Sequence, residues 1–297
     1  MSTHLTAIVQ ALFVVFLWAT SWVFVKIGLQ DIPPVTFAGL RYILAFICLL
    51  IVTTFNGSIR DIRQLPKAAW GQLILLGTLL YAVTQGAIFV ALAYLPAVTV
   101  NLLWSFSSVL VAALGAIWLL ERTSVVQWIG MFMAIAGAVI YFHPVDIPQS
   151  QVIGVIVAIL GILANAASSI LGRDVNRSGQ YHPLVVTIIS MGAGSTILLI
   201  AGISMEGLPA INLRNWGIIL WLALVNTAFA FTLWNHTLRT LSAVESSIIN
   251  GTMMIWIPVL AVIFLGEMIT AREIVGLVVT GLGTLIVQLR KSPLNKN

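Results

Sequence analysis

The side chains best suited to chemistry begin with a ladder. Trp18, Trp22 and Lys26 recur at every fourth position, so on a helix they stack along one face, with Thr20 and Ser21 nearby. Tyr81 and Gln85 repeat that spacing, and Asn101 lies one turn from Trp104. Asn165, Asn226, Trp234 and Asn250 supply further amides and an indole. Aromatic faces combined with carboxamides suit a neutral or zwitterionic organic molecule with an apolar part, and such faces also hold cations. Lys26 and Arg41 add positive charge that would attract a carboxylate. The plainer account gives them a structural pairing with Asp31 or with helix-end carbonyls. Taken singly, each of these groups also fits an interhelical hydrogen bond or an interfacial tryptophan.

Bond-making chemistry finds little support. The four histidines, His4, His143, His182 and His236, fall in connections or at the ends of apolar runs. There is no G-x-S-G tract, no G-x-G-D pair, no H-E-x-x-H zinc helix and no phosphate-binding loop, so ATP drive within this chain is excluded. GAGS at Gly192 to Ser195 reads as a small-residue helix segment. Cys48 is the single cysteine, which rules out an internal disulfide and a cysteine-rich metal site. No catalytic residue, metal or cofactor is expected.

The elements that position these residues follow from the solvent. Hydrophobic residues make up 60% of the chain and charged residues 8%, against roughly a quarter charged in soluble domains. Apolar runs of about 20 residues, the length that crosses a bilayer as a helix, recur throughout. Breaks at Pro, Gly and charge clusters divide the chain into ten spans: 6–27, 35–55, 70–92, 98–120, 125–142, 151–172, 183–204, 215–237, 244–265 and 273–290. The first run is too long for a signal-peptide core and lacks a cleavage site, so it is expected to remain as a span. Spans 1, 3, 4, 6, 8 and 9 hold the polar side chains and are expected to build a cavity; 2, 5, 7 and 10 are poorer in them.

Charge sets orientation. With the N-terminus inside, the inner loops collect Arg60, Arg63, Lys67, Arg122, Arg173, Arg177, Arg239, Arg290, Lys291 and Lys296, whereas the outer loops hold only Arg214 and Arg272. Basic residues concentrate on the cytoplasmic side, so both termini are expected to be cytoplasmic. The same rule accounts for the net charge of +5 without a nucleic-acid partner.

The chain also repeats itself. Glu121, Gly130 and Gly137 answer to Glu267, Gly276 and Gly283 at a constant offset of 267 − 121 = 146, which also pairs Ala97 with Ala243 and Trp70 with Trp216. The division expected is 1–146 and 147–297, five spans each. An odd number of spans inverts the second copy, the construction of many secondary transporters. Ser124 with Gln127 and Thr270 with Glu273 are capping boxes opening the fifth and tenth spans. Glu121 and Glu267 precede them by one turn and are expected to serve the turn or a gate, facing the positive end of the next helix. The glycines of spans 5 and 10 point to close helix packing, as a scaffold or a dimer surface, leaving monomer and homodimer both open.

The tracts WLLERTSVVQWIGMFMAIAGAVI and FLGEMITAREIVGLVVTGLGTLI resemble those of EamA-type members of the drug/metabolite transporter superfamily, as does the opening WATSWVFVKIGLQDIPPVTFAGLRYILAF. In that opening Trp18, Lys26, Pro34 and Arg41 fall on the family's recurring Trp, Lys, Pro and Arg. The resemblance covers essentially the whole chain. It implies an all-α polytopic protein of the cell (inner) membrane: ten transmembrane helices in two inverted five-helix repeats, exporting amino acids, other metabolites or drug-like compounds through a central cavity by alternating access. The chain departs from the family where a proline usually stands about thirteen residues before each glutamate. Those positions are Ser108 and Met254, and Pro258 comes one turn later in the second half.

Three functions therefore compete: a carrier with a small-molecule substrate, a passive channel and an intramembrane enzyme. The inverted repeat favours the carrier. Single cysteines introduced as Glu121→Cys and Glu267→Cys, in a background lacking Cys48, should be labelled from opposite faces of sealed membranes; labelling from one face would remove the inversion.

Overall fold

The computed structural model describes residues 3–55, 65–118, 124–144, 148–177, 181, 183–241 and 243–288, and every element among them is helical. We number ten helices. The first five are α1 (Thr3–Gly28), α2 (Pro34–Phe55), α3 from Lys67 to Tyr94, α4 (Ala97–Trp118) and α5 (Val125–Phe142). The rest are α6 (Gln149–Arg177), α7 (Pro183–Glu206), α8 from Leu213 to Thr237, α9 from Ala243 to Leu265, and α10 (Ala271–Gln288). Among the described residues nine are long and apolar enough to cross a bilayer, and the described apolar stretch of α4, Ala97–Val111, is shorter. The ten expected spans thus appear in order, their limits shifted by a few residues.

Local chemistry ends the helices where the residues demand. Pro34 opens α2, its fixed φ and missing N–H suiting a first turn. Both capping boxes form: Gln127 N donates to Ser124 Oγ at 3.2 Å, and Thr270 N donates to Glu273 Oε2 at 2.7 Å. Asn212 caps α8, accepting from Asn215 N at 2.8 Å. Gly266 ends α9 in the left-handed region at φ 67°, a conformation that favours glycine, and turns the chain so that Glu267 points back along the bundle.

Two helices carry wide, π-helical segments at matching positions. Thr78–Gln85 interrupts α3 and Leu224–Phe229 interrupts α8, and their starts differ by 224 − 78 = 146, the repeat offset. In each, a threonine hydroxyl bonds the carbonyl five residues back: Thr84 to Leu79 at 2.7 Å and Thr227 to Leu222 at 2.8 Å. In α9, Pro258 lies within Met253–Leu260 and a third wide segment follows, Ala261–Leu265. Proline removes a helix N–H, so this helix departs from regular α geometry just where the family's proline is displaced.

Packing follows the repeat. A Cβ on Gly130 would stand 2.7 Å from the Gly283 carbonyl oxygen, and one on Gly276 would stand 2.8 Å from that of Gly137. The early glycine of α5 therefore meets the late glycine of α10, and the reverse. The two helices run antiparallel with backbones touching. α2 and α7 do the same: Gly39 abuts Leu199 while Gly202 abuts Val35 and Thr36. Away from this seam α5 exposes Val126, Ile129, Phe132, Ile135 and Val139, the apolar face that lipid requires. The small-residue stripes of α5 and α10 thus act as scaffold within one chain.

Gly130→Val places branched carbon against backbone that has no room to move. It should cost about 1–3 kcal/mol, as overpacking does, and lower the thermal unfolding temperature in detergent, whereas Gly71→Val, at a position with nothing within 4 Å of its Cβ, should not.

Candidate functional site

At the end of the bundle where α3 gives way to α4, two opposite charges hold the connection. Lys26 Nζ of α1 donates to Leu92 O and Leu95 O, each at 2.6 Å. Leu92 lies in the last turn of α3, where carbonyls lack intrahelical donors, and Leu95 is the extended residue that follows it. Across the turn Glu267 accepts from Ala97 N at 2.6 Å and Val98 N at 3.1 Å, the first N–H groups of α4. A cation thus meets a helix C-terminus and an anion a helix N-terminus, each the favourable sign. Glu267 therefore faces α4, in the other half of the chain, and not the next helix α10 as expected. Its own capping box already serves α10. Glu121 lies outside the described residues.

Glu206, at the end of α7, does for α2 what Glu267 does for α4: Thr36 N donates to it at 2.8 Å and Val35 N at 3.2 Å. Asn215 Nδ2 donates to Asp31 at 2.8 Å alongside. Lys26, Gln30, Leu92, Phe264 and Glu267 line a cavity of about 360 Å³ at this end. For Lys26, the geometry is that of the helix-end carbonyl pairing.

Deeper in the bundle the other candidates form three groups. Between α1 and α8, the Trp18 ring packs at 5.2 Å from both Phe231 and Trp234, and its indole N–H is buried without a partner. Here Asn226 is fully buried, and its Nδ2 donates to Leu17 O and to Thr20 Oγ1, the latter at 3.3 Å. Between α2 and α3, Tyr42 donates its hydroxyl to Gln85 Oε1 at 2.7 Å and its ring lies 5.7 Å from that of Tyr81. Arg41 joins these two groups, with Nη1 donating to Ser21 of α1 at 2.8 Å and Nε to Thr227 of α8 at 3.2 Å. Between α4 and α6, Asn165 Oδ1 accepts from Ser107 at 3.1 Å and Trp104 covers Gly161. Asn101, also on α4, is buried with its Nδ2 unpaired. Trp22 is buried in the apolar core, and Asn250 is exposed on α9.

α2 therefore belongs to this polar interior, although its sequence is poor in polar groups. Tyr42 and Thr227 join it as well, neither singled out by spacing. The available signal was the Arg-Tyr pair inside an otherwise apolar run. The interior brings together aromatic faces and hydrogen-bonding groups from both halves of the chain. Its acidic groups sit at helix ends or in connections, so the described interior has no carboxylate relay for protons.

Residues 5–142 and 152–289 each match the EamA-like transporter family. An uncharacterized transporter of Bacillus subtilis, YoaV, is 22% identical over 89% of this chain and 90% of its own. A probable amino-acid metabolite efflux pump of Salmonella typhimurium is 26% identical over 93% of this chain and 92% of its own. A solved crystal structure superposes with a TM-score of 0.66 at 16% identity, over 95% of this chain and 97% of that one, so the fold is shared.

Replacing Glu267 with Gln leaves one acceptor oxygen for two N–H groups. The loss of a charged cap should cost about 1 kcal/mol, seen as lower yield and melting temperature with the pattern of competing substrates unchanged. With the family matched over both halves of a ten-helix membrane bundle, the chain belongs to the EamA-like transporter family and is a transporter, not an enzyme.

Proposed function

We propose that the protein is a secondary carrier that exports a small organic metabolite across the cytoplasmic membrane by alternating access. One observation carries this reading: equivalent helices of the two halves pack antiparallel, α5 on α10 and α2 on α7, while polar groups of both halves meet at Arg41 and Asn226. Two copies of one bundle, inverted across the membrane, exchange inward-open and outward-open shapes at nearly equal energy. The halves are 1–146 and 147–297, both termini lie in the cytoplasm, and the Lys26–Glu267 end faces outward, as the distribution of Lys and Arg supports.

The site lies between the halves, lined by aromatics and amides from α1, α2, α3 and α8 with α4 and α6 beside them. An amino acid or a related metabolite fits this lining, and the name of the Salmonella relative agrees with it. The carrier unit is a monomer, because α5 and α10 use their glycine faces on each other. Exchange or facilitated export suits an interior without a described carboxylate relay.

Purified protein in liposomes, preloaded with one compound and offered labelled amino acids or aromatic cations, should show saturable counterflow. Flux that rises linearly with concentration would instead indicate a channel.

A further inference from the structure

A guanidinium sits inside this bundle without a counter-charge among the described residues. Arg41 is seven residues into α2, about 10 Å from the helix start at 1.5 Å per residue, and only 6% of its surface is accessible. Its two hydrogen bonds go to the neutral hydroxyls of Ser21 and Thr227. A guanidinium carries more N–H donors than these bonds use, and the remainder have no partner among the described residues. Tyr42 and Phe89 offer ring faces with centroids 5.1 and 5.9 Å from the guanidinium carbon, which supply attraction but no anion.

The described carboxylates lie elsewhere. Asp31 holds Asn215, Glu206 and Glu267 cap helices, Glu245 pairs with His4 at 2.9 Å, Glu273 closes its capping box, and Asp174 is exposed on α6. Asp61, Glu121 and Asp146 fall outside the described residues. A lone charge at such depth is costly in a low-dielectric interior and ordinarily marks a pathway for a charged ligand.

The surroundings point the same way. Thr227 sits in the wide segment of α8, and Gln85, bonded to Tyr42, closes that of α3. Such segments occur often at functional sites. Asn226 Oδ1, beside Thr227, is buried with no partner, so the same corner keeps an acceptor free for an amine or hydroxyl. Guanidinium matches carboxylate in shape and charge, forming two parallel hydrogen bonds.

We propose that Arg41 anchors the carboxylate of the transported molecule, so that the carrier takes small organic acids and zwitterions and rejects their amides. The assignment rests on the carrier reading of this same interior. Binding the acid would satisfy the idle N–H groups and tie α2 to α1 and α8 through one charge. The amide leaves the cation uncompensated.

The test pairs leucine, methionine, phenylalanine and phenylacetate with the corresponding amides on purified protein, by thermal unfolding in detergent and by competition for counterflow in liposomes. At least one acid should raise the unfolding temperature and compete, with its amide weaker by about tenfold or more. Arg41→Gln should erase the acid-over-amide preference and Arg41→Lys should keep part of it. Equal action of acids and amides, no action by any acid, or an Arg41→Gln protein that folds and still prefers acids would overturn the proposal. If Arg41→Gln does not fold, the wild-type comparison and Arg41→Lys decide. Acid-dependent stabilisation without counterflow of any compound would overturn the carrier reading and leave the anchor standing.

Discussion

Lipid offers no hydrogen bonds, and that one constraint organises this protein. Helices satisfy their interiors, but each end leaves N–H or C=O groups bare. Where two helices meet at the membrane edge the chain must supply partners. It does so here with full charges of the right sign: Lys26 on the last carbonyls of α3, Glu267 on the first amides of α4 and Glu206 on those of α2. Because both acids come from the second half and both capped helices from the first, satisfying the backbone also joins the halves. The left-handed turn at Gly266 aims Glu267 at this task.

The same constraint explains the scaffold. With no water to expel, α5 and α10 adhere by bringing backbones together, and only glycine at the crossing points allows it. Their contact is reciprocal, Gly130 meeting Gly283 and Gly137 meeting Gly276, which sets the two helices in opposed directions. The polar interior is the exception that the scaffold supports. Arg41 and Asn226 are buried and Gln85 and Trp18 half-buried, polar groups in an apolar fold, and tightly packed helices around them keep them where they are.

Much of this was legible in the residues. Apolar run length gave the spans, the S/T-x-x-E/Q patterns gave both caps, and the offset of 146 paired the glycines of α5 and α10 without saying that they meet each other. These features are local or periodic, so sequence carries them. What escaped was long-range. Nothing near Glu267 says that its partner is α4, because Gly266 reverses the chain and the Thr270 box already meets the needs of α10. The contribution of α2 was hidden because a single Arg-Tyr pair barely changes the hydropathy of its run. The wide segments left no trace, since one extra residue per turn alters neither composition nor span length.

Those segments at Thr78–Gln85 and Leu224–Phe229 have a mechanical consequence. A wide turn is a line defect in an otherwise regular ladder, comparable to a dislocation in a crystal. It can travel by exchanging one bond at a time between the fourth and fifth carbonyl back, so that the part of the helix beyond it rotates and advances without any amide losing its partner. Two rods carrying such defects at the same register can therefore reorient inside hydrocarbon in small steps, where a rigid rod would have to break its contacts together.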